Sequence, residues 1–227
     1  MERPILFNTE MVQAIMDGRK TQTRRLVKTT DGIPLHWYSD AAAKTYIFHA
    51  DYCNVKKAPC EKGDILWVRE TWTPYCMNIK TCPNGVLAHA KYCYKASVDD
   101  AWHGCVDDSL PESCRWRPSI HMPKEAARIF LRVKNVRVER LQDISVLDAI
   151  NEGCCGTICD HSDANPELGC TDCYNTGWLE RPETEFALLW DTTVKKDDLP
   201  VYGWEANPWV WVIEFERCEA PKEERHE

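Results

Sequence analysis

Eight consecutive residues, Gly18-Arg19-Lys20-Thr21-Gln22-Thr23-Arg24-Arg25, gather one amine, three guanidiniums and two hydroxyls into a single short stretch. Such a cluster can hold an anion. It can also lower a lysine pKa by mutual repulsion, which turns an inert ammonium into a base. Either use requires that the surrounding chain fix the cluster and bury part of it.

The elements that must do so are legible in part. Residues 8–17 read as a helix: Asn8 or Thr9 can cap it, Val12, Ile15 and Met16 form its apolar stripe, and Gly18 supplies a left-handed stop. Thr21 to Val27 then leaves as a strand. Residues 29–60 suggest a hairpin-like excursion. Glu61-Lys62-Gly63-Asp64 is a turn signal before the strand Ile65 to Glu70. Ile129, Leu131, Val133, Val136 and Val138 alternate as a strand pair or one bulged strand. Ser145 to Asn151 reads as a helix with capping-box spacing between Ser145 and Asp148, with Leu147 and Ile150 on one face and a stop at Gly153. Thr184 to Thr192 is another helix, with Phe186, Leu189 and Trp190 facing inward. Asn207-Pro208 opens a closing strand from Trp209 to Glu216, with Trp209, Trp211, Ile213 and Phe215 on one face.

Composition bounds the function. The 227 residues are 44% hydrophobic and 28% charged, the balance of an ordinary globular chain able to bury a core. A net charge of -8 argues against broad duplex binding through backbone charge, so any nucleic-acid contact is expected to be local. The apolar runs are too short to span a bilayer, and the N-terminus lacks the shape of a signal peptide. The expected compartment is the cytoplasm. Residues 220–227 read as a disordered tail.

The pattern of Gly18, Lys20 and Arg25 resembles the GxKxxxxR signature of the ASCH domain, a PUA-like β-barrel family associated with RNA and modified nucleosides. GDILWVRETW, WRPSIHMP and NPWVWVIEF look similar to segments of larger ASCH-domain proteins of phages and prophages, a group with a fold and no established reaction. One branch of the family is a small amidohydrolase that removes the acyl group from N4-acetylcytidine. That resemblance implies catalytic roles for Lys20, for Thr23 three residues later, and for Glu152 at the end of the helix before Gly153. The chemistry fits. A threonine hydroxyl is inert until a base takes its proton. Arg19, Arg24, Arg25 and partial burial all push Lys20 towards being that base. Glu152 can orient Lys20 or carry a proton to the leaving nitrogen. The arginines can instead stabilise the oxyanion or grip a phosphate. Trp67 can stack on a base and His121 can line the pocket, although core packing is the better reading of Trp67 and a structural role suits His121 at least as well.

Thirteen cysteines without an export signal point to spacing rather than disulfides. Cys155, Cys159, Cys170 and Cys173 form two thiol pairs able to wrap one tetrahedral Zn²⁺, the second pair resembling a zinc knuckle ahead of Gly177. Cys154 competes with Cys155 for the first place, and free reduced thiols are the alternative. A four-thiolate site is closed, so its role would be to staple the insertion.

The sequence thus points to an α+β fold: a single ASCH-like, PUA-like small β-barrel flanked by helices over residues 1–219. A loop insertion is expected at about 74–115 and a cysteine-rich zinc-binding one at 154–180. The expected ligand is a nucleobase, nucleoside or RNA, with hydrolysis of an acylated cytidine. The alternative is a non-catalytic module that recognises RNA or a modified base. Nothing in the chain points to a membrane or a protein partner. If the protein is phage-encoded, it works in the cytoplasm of a bacterial host.

Overall fold

A computed structural model of the chain describes residues 1–27, 35–39, 45–49, 55–74, 92–97, 116–154 and 181–221. The strands are β1 (Glu2–Leu6), β2 (Gln22–Leu26), β3 (Leu35–Ser39), β4 (Thr45–His49), β5 (Val55–Lys57), β6 (Ile65–Arg69), β7 (Trp72–Pro74), β8 (Tyr92–Tyr94), β9 (Phe130–Arg140) and β10 (Trp209–Cys218). The helices are α1 (Thr9–Met16), α2 (Val146–Asn151), α3 (Pro182–Thr193) and α4 (Leu199–Tyr202). This is an α+β chain with mixed strand pairing, and no closed barrel is found among the described residues. Among those residues no helix is long and apolar enough to cross a membrane.

Two compact units divide the chain. The first comprises Met1–Asp17, Gly63–Arg132 and Glu216–Glu227, and the second Gly18–Lys62 and Val133–Phe215. In the first unit β1 runs parallel to β6, which pairs antiparallel with the start of β9. Leu66, Val68, Leu131, Ile5 and Ile15 are buried in its core. The Asn8 side chain accepts from the Met11 amide at 2.8 Å and caps α1, and Gly18 stops the helix at φ +79°, where a side chain would be strained. Met16, expected in the apolar stripe, is 38% exposed, and Ala14 takes the buried place instead. A short hairpin of β7 and β8 falls partly inside the expected 74–115 insertion, with Trp72 opposite Tyr94.

In the second unit β10 pairs antiparallel with β2 and neighbours β9. Residues 210–213 of β10 are all buried, so the strand is covered on both faces and not on the one face that alternation suggests. The excursion expected over 29–60 contains the antiparallel meander β3-β4-β5. β9 is one continuous strand. Its buried positions shift from Leu131 and Val133 to Val136 and Val138 across the exposed pair Lys134-Asn135, as a bulge would shift them. Leu141, Ile144, Ala149, Cys154, Phe186, Trp190, Val210 and Val212 form the apolar core of this unit. Leu147, read as sharing one face with Ile150, is 66% exposed, and Ala149 is the residue of this helix that enters the core. α2 has only six residues, too few to be stable alone, and the reciprocal Ser145–Asp148 capping box fixes its start.

Candidate functional site

The basic cluster lies in the second unit, where β2 meets the end of α2. The Thr21 amide donates to the Asn151 carbonyl at 2.8 Å, which brings the segment before β2 to the last turn of the helix. Lys20 Nζ then reaches two oxygens of one residue. It donates to Glu152 Oε2 at 2.7 Å and to the Glu152 carbonyl, also at 2.7 Å. The Lys20 side chain is 0% exposed and that of Glu152 is 3% exposed. The helix C-terminus offers unsatisfied carbonyls with partial negative charge, so an amine donor is favoured there.

Glu152 is shared. Its other oxygen, Oε1, accepts from Arg24 Nη1 at 3.1 Å. Arg24 is also fully buried, donates from Nε to Glu139 Oε1 at 3.1 Å, and lies 3.6 Å from Asp148 Oδ2. Its guanidinium sits 5.6 Å from the centre of the Phe186 ring. Gln22, two residues away on the same face of β2, donates to the Asp148 carbonyl at 2.8 Å and to Asp148 Oδ1 at 3.0 Å. Arg137 extends the network outward through Glu139, Asp148 and Glu214.

The electrostatics follow from burial. Desolvation lowers the Lys20 pKa from its ordinary value; the Glu152 carboxylate opposes this, and the Arg25 guanidinium adds to it. The depressed lysine expected from the sequence therefore has burial as its main cause, ahead of charge repulsion. Arg25 is likewise pulled down by burial and held up by Glu152. For Asp148, burial raises the pKa, but hydrogen bonds from Gln22 and Ser145 and the charge of Arg24 outweigh it and bring it below the usual carboxylate value. In Arg137 burial works downward and is overcome by Glu139, Asp148 and Glu214, so its pKa is raised.

Of the residues singled out in the sequence, the structure joins Lys20, Glu152 and Arg24. Thr23 is buried at 1% exposure, opposite Ile213 in register. Alternation places it on the other face of β2 from Gln22 and Arg24, together with Arg25. Arg19 is exposed and donates to the Gly153 carbonyl at 3.2 Å. Arg24, a candidate ligand grip, is held by protein carboxylates. Trp67 and His121 belong to the first unit, half-buried on β6 and exposed at the end of the 3-10 turn Ser119–His121. Cys155, Cys159, Cys170 and Cys173 lie outside the described residues, whereas Cys154 is buried at 1% exposure in the apolar core.

Sequence reasoning missed Gln22, Glu139, Asp148 and Arg137 as members of the site. One signal was available: Gln22 and Arg24, like Arg137 and Glu139, are spaced by two on a strand and so share a face. No family model matches this chain, and no curated protein or solved structure matches it.

Proposed function

We propose that the Lys20–Glu152 site binds a nucleobase or nucleoside, free or within RNA, and hydrolyses the amide of an N4-acylated cytidine. One observation carries this reading: a fully buried lysine with a lowered pKa donates at 2.7 Å to a buried glutamate at a helix end. In this scheme neutral Lys20 takes the Thr23 hydroxyl proton and the alkoxide adds to the acyl carbon. Arg25 stabilises the oxyanion. The carbon–nitrogen bond breaks as Glu152 and Lys20 return the proton to the departing N4. Water then cleaves the threonyl ester, releasing the carboxylic acid and restoring Thr23. The ASCH resemblance supports the same reading, together with assignment of the strands to a PUA-like barrel of the phage or prophage type acting in a bacterial cytoplasm.

The test is incubation of purified protein with N4-acetylcytidine, with cytidine release followed by chromatography beside Lys20→Ala and Glu152→Ala. Release by the wild type alone is expected. A folded wild type that releases none would exclude this substrate. A second reading draws on the Lys20 bond to the Glu152 carbonyl, the contact a charged lysine makes as a helix cap. A permanently protonated Lys20 would leave a module that binds RNA or a modified base without cleaving it.

The same reading includes a structural Zn²⁺ held by Cys155, Cys159, Cys170 and Cys173, stapling the segment that follows α2. Metal analysis is expected to find about one zinc per chain. The double variant Cys170→Ser, Cys173→Ser is expected to lose it. Metal-free wild type purified without chelator would sink the idea.

A further inference from the structure

The first unit carries a second surface with chemistry of its own. On β6, Leu66 and Val68 turn into the core, while Ile65, Trp67 and Arg69 leave on the opposite face, half-exposed. The neighbouring strands repeat the pattern. Ile5 is buried but Pro4 and Leu6 are exposed, and Leu131 is buried while Phe130 is half-exposed and Arg132 exposed. Register makes these positions one face. Pro4 stands opposite Trp67, and Trp67 opposite Phe130, so three rings form a row across three adjacent strands. Directly opposite residues share a face at about 5 Å between Cβ atoms, close enough for neighbouring rings to form one platform.

Cations flank the row on both sides. Arg69 follows Trp67 on the same face, its guanidinium 5.6 Å from the centre of the indole. It donates to the Ile120 carbonyl, and its Nε is a buried donor with no acceptor among the described residues. Arg132 stands opposite Ile65 on the other side of the row. Glu2 on this face pairs with Lys124 at 2.7 Å, so its charge is matched. On β10, the strand beside β9, Cys218 lies within electrostatic reach of both Arg132 and Glu216.

We propose that this face binds single-stranded nucleic acid, with bases stacked on Trp67 and Phe130 and phosphates met by Arg132 and Arg69. Half-exposed rings on a sheet between arginines offer what an unpaired strand needs: π-faces for its bases and positive charge for its backbone. A duplex keeps its base faces inside its own stack and cannot use the rings. The chain's overall net charge of -8 predicts modest, strongly salt-dependent affinity. This surface does not depend on the reading of Lys20 and Glu152.

The test is fluorescence anisotropy at low salt with a labelled single-stranded RNA oligomer, the matching DNA strand and the duplex. Both single strands are expected to bind and the duplex to bind several-fold more weakly. Trp67→Ala is expected to weaken binding roughly 5- to 100-fold, the range for loss of one stacked base. Arg132→Glu, an exposed change that leaves the core untouched, is expected to weaken it comparably and to flatten the salt dependence. Absence of binding, equal binding of the duplex, or affinity unchanged by both variants would overturn the proposal. So would a dimer in sedimentation that Trp67→Ala dissociates, because the face would then belong to a second copy of the chain.

Discussion

Replacing Glu152 with alanine is expected to cost about 3–5 kcal/mol of stability at neutral pH. The reason lies in what remains behind. Lys20 Nζ loses a carboxylate at 2.7 Å and keeps the backbone carbonyl of residue 152; Arg24 loses one carboxylate and keeps Glu139, with Asp148 at 3.6 Å. Both side chains are fully buried, so bulk solvent does not reach them to take the place of the lost oxygens. Lys20 has an escape that Arg24 lacks: it can shed its proton, because removing Glu152 removes the largest influence holding its pKa up. The penalty is therefore expected to shrink as pH rises. Urea unfolding of wild type, Glu152→Ala, Lys20→Met and the double variant gives the coupling directly. A loss under about 1 kcal/mol, or additive single changes, would mean that the pair contributes little.

The second large effect concerns Lys20→Arg. Arginine keeps the positive charge but cannot act as a base in the working pH range. Hydrolysis is expected to fall by about 10²- to 10⁴-fold, the contribution of a positioned base, while nucleoside binding is largely retained. Loss of binding and hydrolysis together would point to packing, since a guanidinium must fit where an amine now sits fully enclosed. Wild-type hydrolysis is expected to rise with pH as Lys20 deprotonates and then level off. Stability carries the same signature. Burial lowers the folded-state pKa of Lys20 below its ordinary 10.5, so between the two values the unfolded chain binds more protons. Below that window the cost of burying the ammonium is present in full. Through it, stability rises with pH, and above 10.5 the gain is complete. Lys20→Met removes this slope, so the gap between its urea midpoint and that of the wild type is expected to shift steadily in the wild type's favour as pH rises towards 10.5. A gap independent of pH would show that Lys20 keeps its proton in the fold.

What could be read from the sequence follows from the range of each interaction. Asn8, Gly18, Ser145 with Asp148, and Gly153 announce helix ends because capping is local, and each stands where it was expected. Leu147 was misplaced because a six-residue helix gives too few turns for its apolar face to be read, and Ala149 carries the contact instead. The four buried residues in a row on β10 defeat alternation because the strand is covered on both sides. Lys20 and Glu152 were paired through resemblance and helix position. Glu139 and Arg137 carry no such local mark; they join the site because β9 and β2 flank the same strand, β10. Arg24 looked like an anion grip because its three carboxylate neighbours lie more than a hundred residues away in the chain.

The distance along the chain between Lys20 and Glu152, 132 residues, has a consequence for biosynthesis. β2 has β10 as its strand partner, and β10 follows far along the chain, with the Phe215 amide donating to the Thr21 carbonyl at 2.8 Å. During translation the basic stretch is therefore solvated and fully charged, with neither its carboxylates nor its strand partner yet made. At ribosomal speeds that interval lasts on the order of ten seconds. A nascent chain in this state presents a cationic segment that the folded protein encloses, so Lys20 becomes a buried, proton-shedding amine only after Trp209–Cys218 has been synthesised.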